Sequence, residues 1–427
     1  MNNHYDVIVV GSGLAGLAAA NRLKEKGYRY KVIEASSRTG GKVQSVQRPE
    51  SGHSFELGAQ FINPEMTELM KWIEHAGMQL TETATPADAV SMMYPAKELS
   101  SDAIDEHEEK LAEWRTDLQG DDLRLSDLIS RLSLTDTEKQ AVASRYAELI
   151  NLPLDQASAR GVIELMTRYT SEQEDSHQLN APLADLIQYM TNTVSEQICY
   201  DEAIVNIEET ASGYRAVSDN HSYEADAVIM AVPPAVASKL TYSPALENLY
   251  RQALNSYLNG SIIKTTWVYD DPFWYDYDLN GDKEAIMDVV YTDPSGVTVV
   301  DSSKQGDGYR LTMFIGADAA KDIAKQSRRE QMETALNLLE YVFGSPARGF
   351  KDAEQSVWVD EPFCGGGYGA AVQYGGLPDA AEILRTPHGP FAFAASELAE
   401  QFPNHMEGAI RAGQATVEQV IKLKTRQ

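Results

Sequence analysis

DVIVVGSGLAG, Asp6–Gly16, is the stretch that decides the fold. Asp6–Val10 reads as a buried strand, because its β-branched residues run without a polar break. Glycines follow at positions 11, 13 and 16. Gly11 to Lys26 reads as a turn and a helix, and Tyr30–Glu34 (YKVIE) as a second strand. Strand, glycine turn, helix and strand make a βαβ unit, so the spacing predicts an α/β fold with a parallel, Rossmann-like sheet.

The three glycines have separate physical tasks. Gly11 permits the tight turn, Gly13 lets backbone approach a pyrophosphate, and Gly16 lets helix and strand pack closely. Phosphates then rest on unpaired N–H groups at the positive end of the helix. Glu34 closes the second strand about twenty residues on, where a ribose-binding acid belongs. The pattern predicts dinucleotide binding, and a carboxylate at the ribose disfavours the 2′-phosphate of NADP. It does not by itself separate NAD from FAD.

The rest of the chain bounds the function. Its 427 residues leave room for two or three domains, and 43% hydrophobic residues argue against a disordered chain. A net charge of −28 repels nucleic acid and anionic membrane surfaces, so neither is expected as a partner. Two cysteines, Cys199 and Cys364, are too few for a disulfide framework and suggest no metal site. No signal-like segment precedes the first strand, and no run of about 18 apolar residues occurs. A cytoplasmic location is the expectation.

Pro64–Gly77 has helical spacing, and the chain from there to about residue 194 reads as helix-rich and acidic. Its most charged part, Asp102–Asp122, reads as a solvated helix face. Strand patterns resume at 203–207, 227–232, 285–300 and 309–315, with helices near 246–257 and 406–423. Strands of nucleotide-domain type thus stand at the start, middle and end. The expected division is 1–64, 195–240 and 388–427 for the dinucleotide domain, interwoven with an α+β substrate domain of 65–194 and 241–387.

A second stretch, GSIIKTTWVY (Gly260–Tyr269), sets Lys264 inside an apolar strand pattern. Two readings are open. The side chain snorkels outward, or it is buried and must be paired or shed its proton.

Motifs further along narrow the choice. EASSRTGGK (Glu34–Lys42), FELGAQF (Phe55–Phe61), the lysine strand with its following Pro272-Phe273-Trp274, and FAFAASE (Phe391–Glu397) with Met406-Glu-Gly-Ala409 resemble the signatures of the flavin amine oxidase family. That family includes monoamine and polyamine oxidases and 6-hydroxynicotine oxidase. The resemblance covers essentially the whole chain and is weakest from about 80 to 190. It implies the two-domain amine oxidase fold, FAD as cofactor, and oxidation of a small-molecule amine with O2 as acceptor and H2O2 as product. A homodimer is compatible with it.

By this resemblance Gly11, Gly13, Leu14, Ala15, Gly16, Glu34, Ala35 and Arg38 hold the ADP half of FAD. Lys42 stands where an arginine is usual, and Ser36 where many members carry another. Gly41, Gly58, Ala59, Gln60 and Phe61 line the ribityl chain and ring, Ile204 meets the adenine half, and Trp358 packs on the benzenoid edge. Ser396, Glu397 and Met406 close over the pyrophosphate and ring. Lys264 faces inward and holds a water against flavin N5. Tyr368 is one wall of an aromatic cage; the other wall is His405, where an aromatic is usual. Aligned on Tyr368, the position that carries a flavin-bonding cysteine in mitochondrial-type enzymes is Gly367, so FAD is expected to be non-covalent. The alternatives are a dehydrogenase or oxidase of the same fold acting on an amino acid or ring substrate, and a non-catalytic FAD-binding protein.

Overall fold

The computed structural model describes residues 4–99, 118, 121–169, 171 and 176–424. The acidic segment Asp102–Asp122 therefore lies outside the described residues but for Leu118, Asp121 and Asp122.

The opening motif folds as its pattern demands. The strand His4–Val10 leads through the glycine turn into the helix Leu14–Glu25, and the strand Tyr30–Ile33 returns parallel to the first, Val7 opposite Tyr30 and Val10 opposite Ile33. Val7, Ile8 and Val9 are fully buried because helices or loops cover both faces of the sheet. Ser222–Met230 lies parallel on the other side of the first strand, and Phe391–Phe393 extends Ser222–Met230 in turn. Eight strands in all build this sheet, drawn from the beginning, middle and end of the chain. The last helix, Met406–Lys424, packs against the first, and Gly413 comes so close that a Cβ there would stand 2.2 Å from the Ala15 carbonyl oxygen.

A second, seven-stranded sheet carries Ile262–Tyr269 one strand in from its edge, where it pairs antiparallel with Tyr309–Gly316 on one side and with the edge strand Asp352–Trp358 on the other. A strand with partners on both edges and helices over its face has no wet side, and all eight of its residues are buried. Trp267, Val289, Tyr291 and Met313 form the core beneath the helix Arg328–Phe343.

The stretch from 80 to 194 is less purely helical than expected. Helices Leu125–Ser130, Asp136–Ile150, Ala159–Met166 and Leu183–Asn192 occur there. Leu80–Glu82, Val90–Tyr94, Glu98–Leu99 and His177–Leu179 are strands. Val90–Tyr94 earns its strand conformation from a distant partner, the parallel strand Ile286–Tyr291, which no local pattern reveals.

Candidate active site

The glycine turn opens onto a cavity of about 450 Å³. Gly11 has φ +95°, which favours glycine, and its N–H donates to the Ile33 carbonyl at 2.8 Å. A Cβ on Gly16 would lie 2.0 Å from the Gly11 carbonyl oxygen, so Gly16 serves packing behind the turn and does not line the cavity. Gly11, Gly13, Leu14 and Ala15 do line it. The helix starts at Leu14 with Gly13 as its N-cap, no side-chain cap and no acid in its first turn. Its first N–H groups are thus left for a ligand.

Glu34 stands at the cavity wall, 8% exposed, with both carboxylate oxygens committed. Oε2 accepts from the Ser12 N–H and hydroxyl, both at 2.7 Å. Oε1 accepts from the Ser36 N–H at 2.9 Å and its hydroxyl at 2.7 Å. Ser36, where the family resemblance leads one to expect arginine, is therefore a clamp on Glu34. Ala35 and Ile204 line the same end.

The cations are restrained too. Arg38 donates to the carbonyls of Thr39 at 3.2 Å and Gly41 at 2.7 Å, which turns its guanidinium along its own loop. Lys42 pairs at 3.3 Å with Glu397, whose other oxygen accepts from the Ser396 hydroxyl at 3.0 Å. Ser396, Glu397 and Met406 form the facing wall, so a second helix, Met406–Lys424, also begins at the cavity. Uncapped helix N–H groups, a bare glycine backbone and two cations, with one anchored carboxylate at the far end, suit a dinucleotide.

At the other end Lys264 is 4% exposed, which removes the snorkelling reading. Its Nζ donates to the Gly58 carbonyl at 3.0 Å and stands 5.6 Å from the centre of the Phe314 ring. Burial lowers the lysine to about 7; Glu56 opposes that shift and Lys304 adds to it. Glu56 is itself buried and pushed up by desolvation, against the pull of the Ser45 hydroxyl at 2.6 Å, the Leu183 N–H at 2.9 Å and both lysines. Lys304, lowered by burial, donates to the Leu179 carbonyl at 3.2 Å.

Gly58 and Trp358 meet next to this lysine. A Cβ on Gly58 would lie 3.5 Å from the Trp358 ring, and the indole N–H donates to the Leu57 carbonyl at 2.8 Å. Ala59 lines the cavity, whereas Gly58, Gln60, Phe61, Trp358 and Lys264 stand behind or beside it. Gln60 is turned to Gln178, its Nε2 donating at 2.8 Å.

Tyr368 and His405 both line the cavity. Tyr368 meets Phe314 edge-to-face at 6.1 Å and its hydroxyl donates to the Glu148 carboxylate. His405 lies 4.9 Å from the Tyr169 ring, and its Nδ1 meets the Pro403 carbonyl at 2.7 Å. A carbonyl only accepts, so Nδ1 carries a proton.

The loop before Tyr368 packs on the end of the helix Asp136–Ile150. Asn151, in the left-handed conformation, caps that helix, and its Oδ1 accepts from the Gly369 N–H at 3.0 Å. A Cβ at Gly367 would meet Asn151 Oδ1 and Ile262 Cγ2, each at 2.6 Å; at Gly260 it would meet Asn151 Cβ at 2.3 Å; at Gly316 it would meet Glu148 Cα at 2.9 Å. Backbone from three segments thus closes around one helix end.

Phe314, Glu148, Glu56, Ser12 and Asn151 were not expected at the site. Glu148, Glu56 and Asn151 carry only the signal of a lone acid or amide near apolar residues, which is too common to single out, while Phe314 reads as a core aromatic and Ser12 as an ordinary turn serine. Among the described residues there is no cluster that would hold a metal ion, and no helix is long and apolar enough to cross a membrane.

Comparison with known proteins identifies the family and the fold. Residues 14–421 match the family of flavin containing amine oxidoreductases. The chain is 24% identical to amine oxidase [flavin-containing] B of Sus scrofa, over 99% of this chain and 87% of that protein. An amine oxidase [flavin-containing] of Danio rerio is 25% identical over 98% and 86%. Among solved structures, a putrescine oxidase bound to putrescine superposes with a TM-score of 0.86 at 23% identity, covering 98% of this chain and 99% of that one. Cyclohexylamine oxidase from Brevibacterium oxydans IH-35A gives 0.87 at 20%, with the same coverage. The βαβ opening, the lysine strand and a family match across nearly the whole length lead to one conclusion: this chain belongs to the flavin-containing amine oxidoreductase family and is an oxidoreductase with the two-domain fold of that family.

Proposed function

We propose that the chain holds FAD without a covalent bond and oxidises a primary or secondary amine at the carbon α to nitrogen. The bound flavin would supply the two-electron acceptor for a hydride from that carbon and pass the electrons to O2, giving H2O2, while the imine product hydrolyses to a carbonyl compound and an amine or ammonia. The observation that carries this reading is Lys264: a lysine on a fully buried strand, turned to the Gly58 carbonyl, next to Ala59 in the wall of the cavity onto which the glycine turn opens.

The protein's own groups divide the work. Gly11, Gly13, Leu14, Ala15 and Glu34 would seat the ADP half, with Ala35, Arg38, Gly41, Lys42 and Ile204 around it. Ala59, Ser396, Glu397 and Met406 would face the remainder, with Gly58, Gln60, Phe61 and Trp358 supporting the ring end. Lys264 spends one of its N–H groups on Gly58, which leaves donors for a water and a cation near the oxygen-reacting atoms. Tyr368 and His405 would flank the amine. The division at 1–64, 195–240 and 388–427 against 65–194 and 241–387 is proposed on the same grounds, since one sheet carries the nucleotide turn and the other the lysine.

Two features support non-covalent binding. Gly367 has no room for a side chain, so a cysteine there would displace Asn151 or Ile262. Cys364 is buried, and desolvation with the nearby Glu361 pushes its thiol up to about 12, far from a reactive thiolate.

Purified protein is mixed with a panel of primary, secondary and diamines without oxygen, then exposed to air. Bleaching of the flavin followed by peroxide supports an amine oxidase. Bleaching without peroxide redirects the reading to a dehydrogenase, and no bleaching by any amine rejects it. Yellow colour that stays with acid-precipitated protein rejects the non-covalent assignment.

A further inference from the structure

The geometry points to Glu148 as a specificity-determining residue of the amine end, one that favours amines carrying a second positive charge; the inference rests on the amine oxidase reading above. Glu148 lies in the last turn of the helix Asp136–Ile150, and that last turn contains no basic residue. An acid there opposes the negative end of the helix dipole. It is half-buried, and no cation stands within ion-pair distance among the described residues. The nearest cation on its own helix, Arg145, is paired with Asp288 at 3.2 Å. Three local penalties thus fall on one carboxylate, a pattern that marks functional positions.

What the carboxylate touches gives it a use. Its contacts are the Tyr368 hydroxyl, which donates to it, and Thr298 from the strand Val297–Asp301. Tyr368 lines the cavity, so its ring spans the wall from the cavity to Glu148. Lys264, Phe314, Tyr368 and Glu148 form a row of neighbours, with the cation at one end and the carboxyl at the other. An ammonium tail reaching along Tyr368 would meet a negative charge, whereas an aromatic tail would meet none. The close approach of Gly316 to the helix backbone keeps Glu148 at this place. Burial pushes the carboxyl up to about 7, against Arg145 and Thr298, and a cation arriving beside it would favour the ionised form.

The test uses the flavin-loaded protein, Glu148→Gln and Glu148→Asp. Each is titrated anaerobically with benzylamine and with 1,4-diaminobutane, and dissociation constants are read from the flavin absorbance change beside KM and kcat. Glu148→Gln is expected to weaken the diamine about ten-fold more than benzylamine, in binding and KM more than in kcat, with Glu148→Asp in between. Equal weakening of both amines overturns the role of Glu148 and leaves the amine oxidase reading intact. If no amine of the wider panel reduces the wild-type flavin, the amine oxidase reading fails, and this inference with it. Should Glu148→Gln not retain flavin, Glu148→Asp decides: a diamine preference lowered at least three-fold supports the role, and an unchanged one overturns it.

Discussion

The Nζ of Lys264 and the carbonyl oxygen of Gly58 lie 3.0 Å apart although 206 positions separate them in the chain. The contact ties the strand Ile262–Tyr269 of the second sheet to the loop that follows Ser54–Glu56. It orients the ammonium, and so fixes where a cation can act.

Replacing Lys264 by Met keeps the apolar stem and removes the charge. Flavin content is expected to stay near wild type, while reoxidation of reduced flavin by O2 slows about 10²-fold or more. Stopped-flow mixing with aerated buffer reads the rate; an unchanged value would falsify the assignment.

The same lysine predicts a pH dependence. Folded, it loses its proton through about 7, and unfolded near 10.5. Reoxidation should therefore fall as pH rises through about 7, and Lys264→Met should flatten the profile. Between these two values the unfolded chain binds the extra proton, so this group's contribution to stability increases with pH. Glu56 supports the charged lysine, and Glu56→Gln should move the inflection to lower pH.

Glu34 accepts four hydrogen bonds from Ser12 and Ser36. Glu34→Ala leaves the Ser12 and Ser36 donors unpaired at about 1–3 kcal/mol and removes the acid at the cavity wall that is proposed to meet the cofactor ribose. Flavin retained through gel filtration is expected to drop at least ten-fold, with Glu34→Asp intermediate. Full retention by the alanine variant would show that the acid plays no part in binding.

Gly367→Ala drives a methyl group into Ile262 and Asn151. Overpacking of this kind costs about 1–3 kcal/mol, so the thermal midpoint should fall. Gly367→Cys should fall at least as far and still release its flavin in acid. A midpoint equal to wild type in both variants refutes the crowding described for this loop.

Legibility in the sequence followed the range of the forces involved. The first strand, glycine turn and helix could be read because each is set by neighbours within a few residues. Glu34 stood out by its spacing; the conflict of Lys264 with an apolar strand left two readings open, and only the family resemblance pointed to the buried one that the structure shows. The partners of these residues were not. Ser12 and Ser36 look like ordinary turn serines until the fold folds both onto Glu34. Gly58 reads as a signature glycine, whereas its carbonyl holds the lysine. Glu148 carries no pattern, since its meaning comes from Tyr368 in a distant loop. Val90–Tyr94 failed for the same reason, being a strand only by virtue of Ile286–Tyr291.

The glycines at 260, 316, 367 and 369 leave the floor beneath Tyr368 no slack for added atoms. On the reading proposed above, natural drift in what the enzyme accepts enters through the side chains set around that floor, Tyr368 and its neighbours Phe314 and Glu148, and an engineer seeking new substrates inherits the same rule: redecorate the walls and leave the foundation bare.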